Sequence, residues 1–154
     1  MNKSAKTTSL VLILSLFIDA LLLDQISKIL LDANLPSPLY LAGKFISLRV
    51  EHNTGIAFSI NLSYPLLIFL NVVFFGAIIF YLAKTLDLKR NTSRLILALL
   101  ASGALGNLID RVRLGYVIDF ISIGNYPIFN FADAFITIAI FLLLLFYDKI
   151  KRPN

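Results

Sequence analysis

Cysteine and tryptophan are absent from this 154-residue chain, and histidine and methionine occur once each. Without cysteine there can be no disulfide, thiolate zinc site, thiol nucleophile or thiol-linked lipid. A single histidine, His52, excludes a cluster of imidazoles around a metal. Charge is scarce too, at 15% of residues, against about 25% in an average soluble domain. Hydrophobic residues make up 58% and mean hydropathy is +0.86, which excludes an ordinary cytosolic protein. Thirteen phenylalanines and six tyrosines exclude a disordered chain, since such chains are poor in aromatics. What is left is a small integral membrane protein, one membrane-embedded unit over residues 1–154. Its catalytic equipment comes largely from nine acids and fourteen bases.

Four apolar runs have the length to cross a hydrocarbon core, at about 10–31, 64–83, 95–114 and 128–147. Each reads as a helix, because backbone groups in lipid must find partners within their own segment. The expected fold class is an all-α membrane protein with four transmembrane helices and a small extracytoplasmic β element. Nine of the fourteen bases (Lys3, Lys6, Lys84, Lys89, Arg90, Arg94, Lys149, Lys151 and Arg152) flank one end of these runs. The positive-inside rule then places both termini and the middle linker in the cytoplasm. The basic, apolar start resembles a signal peptide, but Asp19 follows and no small-residue cleavage site appears, so the first span reads as uncleaved.

Between the first two runs the pattern changes. From Phe45 to Glu51, Ile46, Leu48 and Val50 alternate with Ser47, Arg49 and Glu51, the period of a half-buried strand. Asn53-Thr54-Gly55 supplies turn chemistry, and Ile56–Ile60 reads as a returning strand. The expected β element therefore covers about 45–60, on the outer membrane surface. Pro36 and Pro38 stop any helix continuing from the first span.

A charge at the bilayer centre costs about 2.5–3.5 kcal/mol even on the lenient scale, so polar residues within the runs are the informative ones. Asp24, Lys28, Asn107, Asp110, Arg111, Asn130 and Asp133 all fall toward the outer ends of their spans, with Asp119 in the connection before the fourth. They form one polar layer. Asp24 and Lys28, four apart, read as a structural ion pair, or Lys28 snorkels to the headgroups. Asp110 and Arg111, taken alone, read as a local charge pair, and Gly103 and Gly106 let a helix or a substrate backbone approach closely. His52 reads as an exposed neighbour of the turn. Asp119 and Asp133 have no base within four residues and are flanked by bulky apolar groups. Two such acids fit either a proton-sharing hydrolytic dyad or a proton relay in a transporter.

Five strings carry a resemblance: Asp24-Gln25-Ile26-Ser27-Lys28, Asn53-Thr54-Gly55-Ile56-Ala57-Phe58, Gly106-Asn107-Leu108-Ile109-Asp110-Arg111, Val117-Ile118-Asp119-Phe120 and Phe129-Asn130-Phe131-Ala132-Asp133. In this order, with four spans, they resemble the lipoprotein signal peptidase family, also called signal peptidase II, over nearly the whole chain. The resemblance implies a bacterial inner-membrane aspartic peptidase that needs no cofactor or metal. Its substrate would be a prolipoprotein, cut just before a cysteine that carries diacylglyceryl. It implies Asp119 and Asp133 as the catalytic dyad, with Asn107, Arg111 and Asn130 shaping the site. Asp24, Lys28, Asn53 and Gly55 would support the site or the substrate, and Asp110 is the rival for a place in the dyad. Globomycin, a cyclic peptide that resembles the family's substrate, is the implied inhibitor. One departure is the short 122–127 connection, which leaves thirteen residues between the two aspartates.

The further partners expected are membrane lipids, anionic lipid among them on the cytoplasmic side. Nucleic acid is not expected, because the bases mark membrane boundaries rather than a groove. The competing function is a small proton-linked membrane carrier, or an assembly subunit, using buried acids as a relay.

Overall fold

Proline, glycine and asparagine mark where the helices start and stop. The computed structural model describes residues 3–43, 45–55 and 63–152. Among these are four helices: α1 (Lys3–Asn34), α2 (Tyr64–Thr85), α3 (Asn91–Leu114) and α4 (Phe131–Ile150). α1 ends just short of Pro36, whose ring disfavours helical geometry in the residue before it. α2 carries a proline in its first turn, where the missing N–H costs nothing. α3 closes on Gly115, whose φ of 87° lets its N–H reach back to the Arg111 carbonyl in a left-handed cap.

α4 begins at Phe131, three residues later than the apolar run suggests. Asn130 is its N-cap: the side chain accepts from the Asp133 N–H, and Asp133 in turn accepts from the Asn130 N–H. This reciprocal box satisfies two otherwise orphaned donors. Phe129 is occupied elsewhere, its carbonyl accepting from the N–H groups of Phe120 and Ile121.

α3 packs against α4, α1 and α2. Glycine makes the first two contacts possible. A Cβ on Gly103 would lie 2.4 Å from the Ala132 carbonyl oxygen, and one on Gly106 would lie 2.6 Å from Asp24 Oδ2. Of the two occupants the sequence allows beside these glycines, a helix or a substrate backbone, the helices α4 and α1 are the ones in place. Gly103→Ala should destabilise the fold by about 1–3 kcal/mol, since backbone must move to admit the methyl. Gly76 has nothing within 4 Å of its Cβ position, so Gly76→Ala should be neutral or stabilising. Thermal unfolding of the two variants checks both.

α2, α3 and α4 are long and apolar enough to cross a membrane. α1 is longer, at 32 residues, but is not among them. It carries Asp19, Asp24, Lys28 and Asp32, and the charges at 24 and 28 are turned inward (0% and 1% exposed). Large apolar side chains point outward from the helices, among them Phe80, Phe141 and Leu144. In water that surface would be an association hazard. Away from the polar layer, Leu82, Leu86, Ile96, Leu99, Leu100, Ala139 and Ile150 form the apolar core at the basic end.

The β element is larger than the sequence pattern suggests. β1 (Leu39–Ala42), β2 (Ile46–Asn53) and β3 (Val117–Ile123) make an antiparallel sheet in the order β1-β2-β3. β3 occupies what reads in sequence as a connection, although Val117-Ile118 and Phe120-Ile121 are strand formers. In register, Glu51 lies opposite Asp119 and Asn53 opposite Val117, past an irregularity after Leu48. β2 thus pairs with β1 and β3. The expected return strand, Ile56–Ile60, lies outside the described residues.

Candidate active site

The polar layer is built around one buried ammonium. Lys28 Nζ lies 2.8 Å from Asp24 Oδ2 and 2.9 Å from Asp110 Oδ2, all three side chains being at most 2% exposed. It also donates to Asn107 Oδ1 at 3.0 Å. Lys28 therefore turns into the bundle rather than toward headgroups, and Asp110 pairs with it rather than with Arg111. Buried charge is tolerated only where partners are complete, and here they are. Asp24 Oδ1 accepts from the Ala132 N–H at 2.8 Å. Asp110 accepts from the Ile118 N–H at 3.2 Å and from Gln25 at 3.0 Å. Gln25, to which sequence reading gives no role, also donates to Asp24 and to the Gly106 carbonyl. An amide inside a helix one residue from a buried acid was the available signal. Together these bonds pin α1, α3, α4 and β3 to each other.

Two asparagines carry the order outward. Asn107 spends its carbonyl oxygen on Lys28 and Asn130, so its NH₂ is left to donate, and it donates to Asp133 Oδ1 at 2.8 Å. Asn130, fully buried, donates to Asp119 Oδ1 at 2.6 Å and to Asn107 Oδ1 at 3.1 Å. Its carbonyl oxygen caps α4 through the Asp133 N–H at 2.9 Å. The chain Lys28–Asn107–Asn130 thus fixes which way each amide faces. It delivers one N–H to each of the two aspartates, which come from different elements, β3 and α4.

Asp119 is 2% exposed. Asn53 closes it from the sheet side, donating to Oδ2 at 2.9 Å, while the Asn53 side-chain Oδ1 accepts from the Gly55 N–H at 2.8 Å. Gly55 takes a φ of 77° to make that turn, which is why glycine is needed there. Burial pushes the Asp119 carboxyl up to about 6. The hydrogen bond from Asn53 pulls the other way, the negative charge of Asp133 adds to the rise, and the Asn130 bond opposes it. Asp133 is half-buried and borders an apolar groove of about 430 Å³ lined by Ile123, Tyr126, Phe129, Ala134 and Ile138.

Arg111 is half-buried, and the negative charges of Asp133, Asp119 and Asp110 all act on its guanidinium. Its Nη1 makes a long bond to the Asn107 main-chain carbonyl at 3.4 Å. Its buried Nε has no hydrogen-bond partner among the described residues. His52 is exposed, as expected of a turn neighbour, but it is engaged: Nε2 lies 2.7 Å from Asp32 Oδ1, and the ring stacks on Tyr116.

The fold matches solved bacterial membrane enzymes. One, determined by the in meso method at 1.9 Å, superposes with a TM-score of 0.75 at 26% identity, covering 90% of this chain and 91% of that one. A second, at 2.3 Å, gives 0.74 at 25% identity, covering 93% and 88%. Residues 16–148 match the family model described as signal peptidase (SPase) II. The lipoprotein signal peptidase of Dehalococcoides mccartyi strain 195 is 40% identical over 131 residues, 82% of each chain. That of Moorella thermoacetica is 40% identical, covering 80% of this chain and 83% of its own. For Geobacter sulfurreducens the figures are 38%, 88% and 89%. The chain belongs to the signal peptidase II family of membrane proteases.

Proposed function

We propose that this protein is an aspartic endopeptidase that removes the signal peptide from diacylglyceryl-modified prolipoproteins, cutting before the lipidated cysteine. Family membership supplies the substrate class. The observation that carries the mechanism is the pair of aspartates, each given an amide N–H by its own asparagine, with Asp119 buried and its carboxyl raised to about 6. In this reading Asp133 is the ionised partner. It accepts from Asn107 and from the Asn130 N–H in the first turn of α4, where the helix dipole favours negative charge. Asp119 holds the proton.

Asp133 takes a proton from water as the water oxygen bonds to the scissile carbonyl carbon, and Asp119 gives its proton to the carbonyl oxygen. On collapse, the C–N bond breaks and Asp133 passes its proton to the departing nitrogen. The gem-diol hydroxyl returns a proton to Asp119, which resets the dyad. In this reading Arg111, whose Nε has no partner among the described residues, holds a substrate carbonyl through its guanidinium. The apolar groove beside Asp133 suits aliphatic parts of the substrate, and a closed site limits stray water.

The whole chain acts as one domain. α1 is read as a fourth span, about 48 Å long at 1.5 Å per residue, tolerated in lipid because Asp24 and Lys28 are internally paired. Basic residues at the chain ends and between α2 and α3 support cytoplasmic termini and contact with anionic lipid. The polar layer then lies in the outer leaflet. Cleavage of a purified lipid-modified prolipoprotein, with none of its unmodified form and with inhibition by globomycin, is the expected result. Equal cleavage of both forms would contradict the substrate assignment.

The proton on Asp119 also sets a pH dependence. Activity needs that proton, so kcat/KM should fall about tenfold per pH unit above about 6. Asn53 favours the ionised form by donating to it. Asn53→Ala should therefore raise the midpoint of this alkaline limb, and a pH profile of the variant against the unmutated protein checks the sign.

A further inference from the structure

The last turn of α1 contains Asp32 and no basic residue. A carboxylate there faces the negative end of the helix dipole, a disfavoured place unless a donor or cation meets it. The donor comes from β2: His52 Nε2 at 2.7 Å, with the imidazole stacked on Tyr116 at 4.2 Å between ring centroids and 21° between planes. Neighbouring strand residues point to opposite faces. His52 therefore turns toward α1 and Tyr116, while Asn53 beside it turns to Asp119. We propose that the His52–Asp32 bond is a positioning latch, tying the end of β2 to α1 so that the Asn53 amide stays on Asp119.

Three further observations support the latch. β2 ends at Asn53, and after the irregularity between Leu48 and Glu51 only Glu51, His52 and Asn53 are in register with β3, so a tie to α1 adds a hold on this short end that the ladder alone does not supply. The ionisable groups around it are otherwise committed: Arg49 pairs with Glu51 at 3.0 Å on the same strand, and Asp119 is held by Asn53 and Asn130. The His52 and Asp32 side chains are 48% and 31% exposed, too open for the pair to matter much to global stability. Its effect is on geometry. His52 is a positioning residue, and either protonation state of the imidazole can donate from Nε2.

The proposal rests on the dyad reading above. The test uses the full chain in lipid and a purified diacylglyceryl-modified prolipoprotein, with pH profiles of His52→Phe, His52→Gln and Asp32→Ala. Each is made alone and on an Asn53→Ala background. Phenylalanine keeps a ring on Tyr116 but cannot donate; glutamine can. His52→Phe and Asp32→Ala should each lower kcat about two- to fivefold, the scale of an exposed pair, and raise the alkaline midpoint as Asn53→Ala does. His52→Gln should restore both. On the Asn53→Ala background none of them should have a further effect. An equal fall in kcat on that background, or a fall with no movement of the midpoint, would overturn the latch. Cleavage by the unmutated protein of the lipid-modified substrate and not the unmodified one, read in the same series, reports on the dyad reading separately.

Discussion

Lys28→Met should destabilise the protein by about 3–5 kcal/mol, the cost of leaving buried charge without its partner. Among the described residues the ammonium is the one cation paired with Asp24 and Asp110, at 2.8 and 2.9 Å. Without it, two carboxylates at most 2% exposed remain against each other. Activity should fall as well, because Asn107 then loses the donor that fixes its carbonyl oxygen and no longer must present its NH₂ to Asp133. Lys28→Arg should not rescue either property, since a guanidinium is a planar fork and the site is shaped for a compact charge. Adding Asp110→Asn to Lys28→Met removes one of the stranded charges. The double variant should be more stable than the sum of the singles, the signature of coupled sites. Thermal unfolding in detergent gives the comparison, and a Lys28→Met loss below about 0.5 kcal/mol would contradict the network.

Asp119→Asn should abolish turnover and stabilise the fold. The loss of activity follows from removing the general acid, a change worth about 10²–10⁴-fold. The gain follows from linkage. A carboxyl raised from 3.8 to about 6 in the folded state is stable there when protonated. That stability is fully present below the unfolded value of 3.8 and is lost as pH rises through about 6. Above that, the ionised group costs up to about 3 kcal/mol, at 1.36 kcal/mol per unit. Asparagine avoids this cost but must share the site with the Asn53 NH₂, an offset of about 1 kcal/mol. The net expectation is about 1–2 kcal/mol in favour of the variant at neutral pH, vanishing near pH 4. A melting temperature unchanged between these two conditions would contradict the buried, raised carboxyl.

The sequence reveals the site's members more readily than their partners. Apolar runs located the helices because lipid leaves the backbone no alternative. Asp24 and Lys28 declared their bond by a spacing of four. Asp110 did not: its partner lies 82 positions earlier on another helix, and the adjacent Arg111 is the misleading choice. Gly103 and Gly106 signal close approach, but whether a helix or a substrate fills the space is decided by where Ala132 and Asp24 stand. β3 is hidden because apolar residues fall on both faces of its seven-residue run, Val117, Ile121 and Ile123 on one and Ile118 and Phe120 on the other, which blurs the alternation that identifies β2. The Asn130–Asp133 box is visible as an asparagine with an acid three residues on, yet the apolar residues ahead of it pull the apparent helix start back to Ile128. His52 and Asp32 sit on different elements, and no local pattern joins them.

Asp110 is the acid that could take the role given to the dyad, so turnover of a lipid-modified prolipoprotein by Asp119→Asn, Asp133→Asn and Asp110→Asn, measured side by side, is the most direct test. The first two should be inactive while folded. The third should retain measurable cleavage at a reduced melting temperature, since Asp110 holds Lys28 and the Ile118 N–H and touches no reacting atom. Turnover that survives at Asp119 or Asp133, or that is lost only at Asp110, would contradict the account.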